Sequence, residues 1–283
     1  MKKTVALLLC FALLVSVAGC TSAPQKEKLH IAVAIPPIAA FVKAVAGDLC
    51  TVQTLIPKGY SPETYAPTPK ELATASTADV YFSAGVPAEA GAILPHLNPE
   101  TKTVFLDQVC DSVFPPRMMG QTADPHRWLS PKRAAVMVEE IAQVLSTLAP
   151  EHATLFEHNK SVFLDELTTA ETQLTEALAG VENRTFLVFH PAFGYFADDF
   201  GLEMIALQED GKEASPKRIT QLVDLAREEG VQVIFYQEEI NSRQAEAFAR
   251  ELSGTTVALD PLSEAYIENL RTMAKTISEA MKR

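Results

Sequence analysis

The chain reads as an α/β protein of two domains, each a four-stranded, mainly parallel sheet flanked by helices, joined by one long helix. Three observations predict this. Short apolar runs of strand length alternate with helix-like segments throughout. Four such strand–helix units precede residue 150 and four follow residue 180. Between them, Glu151 to Ala179 reads as one unbroken helix. At 1.5 Å per residue it would span about 43 Å, the height of two small domains rather than of a crossover within one sheet.

In chain order, LHIAVAIPP from Leu29 is the first strand, followed by the helix-like IAAFVKAVAG. TVQTLIP from Thr51 is the second, and TPKELATAS from Thr68 begins the next helix. Asp79 to Gly85 and Lys102 to Val109 supply the third and fourth, with a helical segment around Glu89 to Leu94 between them. A loop rich in Pro, Met and Gly then runs to Ser130, which with Pro131 forms the N-cap and first turn of a helix reaching Leu148. In the long helix, Leu155, Val162, Phe163, Leu167, Ala170, Leu174 and Leu178 recur at mostly three- and four-residue intervals. Pro150 stands at its first turn and Gly180 just past its end. The same grammar then resumes: Thr185 to His190, Leu202 to Gln208, Val231 to Gln237 and Thr255 to Asp260 are strands. Their helices begin near Pro191, Pro216 and Ser242, and a last one runs from Tyr266 to the end. The halves share no residue-level repeat.

The expected organisation is a leader at 1–19, a lipidated cysteine and tether at 20–28, a first lobe at 29–149, the linking helix at 150–180 and a second lobe at 181–283. The leader, MKKTVALLLCFALLVSVAGC, has two lysines, an apolar run and small residues before Cys20. That is the layout of a secretory signal and is too short to span a bilayer comfortably. Its ending, Val17-Ala18-Gly19-Cys20, resembles the lipobox of bacterial lipoproteins, which makes Cys20 the lipidation site, the membrane a partner through that anchor, and the cell envelope the expected location. An apolar share of 47% supplies real cores, and a net charge of -12 argues against nucleic acid as a partner. Cys50 and Cys110 are the remaining pair in the mature chain. An even pair outside the cytosol invites a disulfide. However, Cys50 would open a strand and Cys110 would follow the end of another, toward opposite ends of a sheet, which argues against the bridge.

Ligands of open parallel sheets bind beyond the carboxyl ends of the strands. Glu63 follows the second strand in KGYSPETYAPTP, His126 follows the fourth in DPHRWLSP, His190 ends the fifth, and Asp260 ends the eighth. Two imidazoles and two carboxylates, each beside a proline, form a plausible four-donor site for Zn²⁺, Mn²⁺ or Fe²⁺. Rim position alone leaves each open to a plainer reading: a capping Asp, a loop Glu, a hydrogen-bonded His. His30, His96, His152 and His158 lie away from the rim. Trp128 and Tyr195 read as packing around the cleft, with a supporting hydrogen bond from Tyr195 as the alternative.

The ordered set GYSPETYAPTP, DPHRWLSP, FHPAFGYFADDFGL, QEDGKEASPKRI and LDPLSEAYIENL resembles the zinc- and manganese-binding solute receptors of bacterial ABC transporters, the ZnuA/TroA-like family. The likeness covers essentially the whole mature chain. It implies two α/β domains tied by a rigid backbone helix, one divalent metal ion in the cleft between them, an ABC permease as partner, a monomer and no catalysis. His126, His190 and Asp260 match family ligands by position. Glu63 departs from the pattern: it stands where the family has His in PHxYEPTP, and Ala66 stands where a Glu is common. The expectation is that Glu63 substitutes as an oxygen ligand. Zinc is favoured slightly, with manganese or iron next. The loop Glu209, Asp210, Lys212 and Glu213 reads as a solvated turn, with permease contact as the alternative. The rival readings are a metal-dependent hydrolase and a surface adhesin or structural lipoprotein on the same fold.

Overall fold

The computed structural model describes residues 28–208, 214–237, 239 and 243–282. The leader 1–19, the lipidation candidate Cys20, the tether up to residue 27, the loop Glu209, Asp210, Lys212 and Glu213, and Ser242 lie outside these residues.

The first lobe contains β1 (Leu29–Val33), α1 (Pro36–Ala46), β2 (Cys50–Thr54), α2 (Pro69–Ala75), β3 (Val80–Ser83), β4 (Thr103–Phe105), α3 (Leu106–Val113), the short strands β5 (Met118–Met119) and β6 (Thr122–Ala123), and α4 (Pro131–Leu148). The long helix α5 (Ala153–Ala179) follows a single 3₁₀ turn, Pro150–His152. The second lobe contains β7 (Thr185–Val188), α6 (Gly194–Phe200), β8 (Glu203–Ala206), α7 (Pro216–Glu228), β9 (Val233–Gln237), α8 (Arg243–Glu251), β10 (Thr255–Leu259) and α9 (Tyr266–Met281).

The two four-stranded sheets are wholly parallel, in the orders β2-β1-β3-β4 and β10-β9-β7-β8. Numbered within its own lobe, each sheet runs second, first, third, fourth, so the halves share a topology that their residues do not advertise. The central strands β3 and β7 are buried along their whole length, as strands covered by helices on both faces must be. Helix starts follow the local chemistry. Thr68 and Glu71 form a reciprocal capping box at α2, and the hydroxyls of Ser130 and Ser215 cap α4 and α7, each followed by proline.

Three details differ from the sequence reading. The segment Lys102 to Val109 is strand only over Thr103–Phe105; Leu106 onward is α3, an amphipathic turn that buries Leu106 and Cys110. Cys110 is therefore helical and donates to the Arg133 carbonyl at 3.4 Å, and both it and Cys50 are buried free thiols. The loop before Ser130 holds the antiparallel β5–β6 pair. Finally, the buried stripe of α5 is Phe156, Leu167, Ala170, Leu174 and Leu178, with Phe163 half-buried, whereas Leu155 and Val162 are 44% and 46% exposed. Phe156 and Phe163 fall in phase with Leu167, Leu174 and Leu178 at seven- and four-residue steps, whereas Leu155 and Val162 lie one position off that stripe.

The long helix packs along α4 and α9 and against α1. One continuous apolar core runs from β1–β4 through α4 and α5 to Phe186, Phe193 and Leu270 of the second lobe, and a smaller core lies under α7 and α8. Phe41 of α1 meets Tyr266 of α9 edge-to-face at 4.7 Å and Phe163 of α5 at 5.8 Å, so three rings join the first lobe, the second lobe and the helix between them. Phe41→Ala is expected to lower unfolding free energy by about 3–5 kcal/mol. Urea unfolding should still show one transition; two resolved transitions would mean that the lobes are energetically independent.

Candidate metal centre

Glu63 sits in the loop between β2 and α2, held by a backbone bond from its own N–H to the Ser61 hydroxyl (3.2 Å) and by Ala88 N–H donating to the Pro62 carbonyl (3.0 Å). His126 lies just before the 3₁₀ turn Arg127–Leu129. His190 lies two residues beyond β7, as N-cap of the turn Pro191–Phe193. Three segments far apart in the chain thus converge: one ligating atom each from Glu63, His126 and His190 lies within 4.8 Å of the others. The His190 Nε2 to Glu63 Oε1 distance is 3.2 Å, and the two imidazole centroids are 5.3 Å apart at 75°. Both histidines are buried, and Glu63 is half-buried. The space they enclose is about 10 Å³, lined also by Ser61, Trp128, Gln237 and Leu262, which is the room of a single small guest.

Each imidazole is oriented from behind. Asp124 Oδ1 accepts from both the backbone N–H (3.0 Å) and Nδ1 (2.8 Å) of His126. Gln208 Oε1 lies 2.8 Å from Nδ1 of His190. With Nδ1 engaged in both rings, Nε2 is the nitrogen each presents to the centre. The sequence reading assigned no role to Asp124 or Gln208. Asp124 had a signal in the sequence, since it precedes His126 across one proline, an Asx-turn arrangement, whereas Gln208 is placed only by the tertiary register. Gln208 continues the β7–β8 register, its N–H donating to Phe189 O at 2.9 Å, which sets it beside His190.

The second lobe supports the first lobe's histidine. Tyr195 of α6 donates its hydroxyl to Asp124 O (3.2 Å) and accepts from Arg117 N–H (2.9 Å). Beside it, a Cβ at position 194 would come within 2.7 Å of Arg117 Cζ and Asp124 Oδ2, so any other residue there would force the Arg117 side chain and the buried Asp124 carboxylate to shift. Trp128 is buried, with its indole N–H bonded to the Pro261 carbonyl at 2.8 Å.

The hydrogen bond from His190, with both nearby imidazoles adding to it against the opposing effect of burial, holds the Glu63 carboxyl below the usual carboxylate range. The ionised, metal-binding form of Glu63 is thereby favoured. A wider cleft of about 800 Å³ adjoins the centre, sharing Glu63 with it and lined also by Pro125, Glu89 and Asp107, and burial raises the last two carboxyls.

Asp260 is not part of the cluster. Its Oδ2 is 3.0 Å from Lys58 Nζ and its Oδ1 accepts from Leu262 N–H at 3.0 Å, although its neighbours Pro261 and Leu262 do line the central space. His96 and His158 are exposed, while His30 and His152 are half-buried; all four stand apart from the centre.

Two α/β lobes with a buried His–His–carboxylate cluster between them define the class of two-lobed metal-binding solute receptors. The family model described as "Zinc-uptake complex component A periplasmic" matches residues 31–280, and the chain belongs to that ZnuA family. The crystal structure of ZnuA superposes with a TM-score of 0.85 at 33% identity, covering 90% of this chain and 100% of that one. The zinc-binding lipoprotein AdcA of Streptococcus pneumoniae is 27% identical over 98% of this chain but only 58% of its own length, so the chain spans little more than half of that relative. A putative metal-binding protein of Chlamydia muridarum is 27% identical over 99% of this chain and 100% of its own. Members of the family are metal-binding transporter components rather than enzymes, which sets the hydrolase reading aside.

Asp124→Asn keeps the shape and removes the charge behind His126. It is expected to weaken zinc binding about 10- to 100-fold, measured by competition against a fluorescent chelator, with the far-ultraviolet circular dichroism unchanged.

Proposed function

We propose that this protein captures one divalent transition-metal ion outside the cytoplasmic membrane, between its two lobes, and delivers it to an ABC permease. The observation that carries the reading is the convergence of Glu63, His126 and His190 ligand atoms within 4.8 Å. The ion is cargo. Both Nε2 atoms and one Glu63 oxygen bind it, and Asp260 completes four donors. Three protein donors with an open position are the arrangement of a catalytic site, whereas four close the shell and leave no activated water.

Two imidazoles with two carboxylates accept zinc, manganese and iron; zinc is favoured slightly because N/O sites bind it more tightly than manganese. The zinc-uptake family and the zinc-binding lipoprotein AdcA point the same way. Imidazole and carboxylate must both be unprotonated to bind a metal ion, so capture weakens with acidity. In this reading the protein works as a monomer, held at the envelope through lipid on Cys20, with domains at 29–149 and 181–283 around the 150–180 helix. Among the described residues no helix is long and apolar enough to cross a membrane.

The test is elemental analysis of protein purified from metal-replete cells, followed by competition between Zn²⁺ and Mn²⁺. One equivalent of metal, with zinc displacing manganese, is expected. Glu63→Ala should lose at least about tenfold in affinity, as removal of a ligand does; unchanged affinity would show that the carboxylate is no ligand.

A further inference from the structure

We propose that Lys58 sets the metal affinity by occupying Asp260 until a cation displaces it. The inference rests on the reading of Asp260 as the fourth donor. Asp260 is held on every side but one. Its carbonyl accepts from Asn269 Nδ2 (2.6 Å), its Oδ1 from Leu262 N–H (3.0 Å), and the next carbonyl, of Pro261, from the Trp128 indole (2.8 Å). The backbone is fixed, and Pro261 and Leu262 already face the space between Glu63 and the two histidines. Oδ2 accepts no backbone N–H, and in this structure its cation is the Lys58 ammonium at 3.0 Å.

Lys58 and Glu63 stand five residues apart in one loop, so the segment that supplies a first-lobe donor also supplies the competitor for the second-lobe donor. The loop is shaped for this. Gly59 has φ +89°, a left-handed conformation that turns the chain between Lys58 and the Ser61–Glu63 anchor. The lysine side chain is 67% exposed and the aspartate 25%, so the pair is weak enough to exchange. An arriving divalent ion offers Oδ2 a stronger partner, and the ammonium then moves to solvent without any movement of the lobes. Lys58 thus reduces the fraction of Asp260 that is free to bind, which lowers apparent affinity by the same factor. For a carrier that must surrender its cargo, the returning lysine opposes recapture.

Lys43 provides an internal control. It pairs with Glu264 across the same lobe boundary and carries the same charge, but does not touch Asp260. The experiment is zinc affinity by chelator competition for the wild type, Lys58→Met, Lys43→Met, Asp260→Asn and the Lys58→Met/Asp260→Asn double variant. The expected result is that Lys58→Met tightens binding about two- to fivefold, that Lys43→Met does not, and that the gain vanishes in the Asp260→Asn background. If Asp260→Asn weakens binding but Lys58→Met is no tighter than Lys43→Met, or tightens equally in both backgrounds, the lysine acts only as a distant charge and the inference is overturned. If Asp260→Asn itself binds zinc like the wild type, it is the reading of Asp260 as a donor that fails.

Discussion

The structure depends on a reciprocal pair of hydrogen bonds at the lobe boundary. Trp128 donates its indole N–H to Pro261 O and accepts from the Tyr266 hydroxyl at its own carbonyl, at 2.8 and 2.6 Å. Both partners are buried, so leaving either unpaired would carry a full desolvation penalty. Trp128 is two residues from His126, and Pro261 directly follows Asp260. The clamp therefore sets the distance between the first-lobe and second-lobe halves of the centre. The Phe41, Phe163 and Tyr266 rings extend it onto the long helix. A clamp of this kind, backed by a continuous core, resists wide hinge opening; local motion of the Glu63 and Lys58 loop is the cheaper way to admit and release an ion.

Around the centre, polarity is arranged to favour a cation without a preformed charge deficit. Asp124 and Gln208 fix which nitrogen each histidine presents, and Tyr195 reaches across from the second lobe to fix Asp124. Glu63 remains ionised because His190 lies against it. Since its folded pKa is depressed, its contribution to stability is present above the ordinary carboxylate range and is lost as pH falls through the lowered value. Cargo chemistry and fold stability thus weaken together in acid.

Much of this was legible in the sequence because strand and helix periodicities are local. The eight parallel strands, the long helix and the cap residues Thr68, Ser130 and Ser215 follow from neighbours within a few positions. The rim rule also named Glu63, His126, His190 and Asp260, since strand ends in a parallel sheet share one edge; the structure brings ligand atoms of the first three within 4.8 Å and leaves Asp260 paired with Lys58. What escaped depends on tertiary competition. Leu106 to Val109 follows β4 without a turn residue to mark the break, yet it is the first turn of α3. Phe156 rather than Leu155 starts the buried stripe because it is in helical phase with Leu167, Leu174 and Leu178. Gln208 could be placed only once the β7–β8 register was known, and the Lys58 pairing with Asp260 joins residues 202 apart. The shared strand order of the two lobes is invisible at residue level because topology constrains polarity patterns rather than identities.

The central claim is that Glu63 and the two Nε2 atoms hold the ion. Zinc-edge X-ray absorption on protein loaded with one equivalent tests it most directly. The account predicts two imidazole nitrogens at about 2.0–2.1 Å with carboxylate oxygen at about 2.0–2.2 Å, and a first shell smaller by one light-atom scatterer in Glu63→Ala. A spectrum with a single imidazole, or one unchanged by Glu63→Ala, would contradict it.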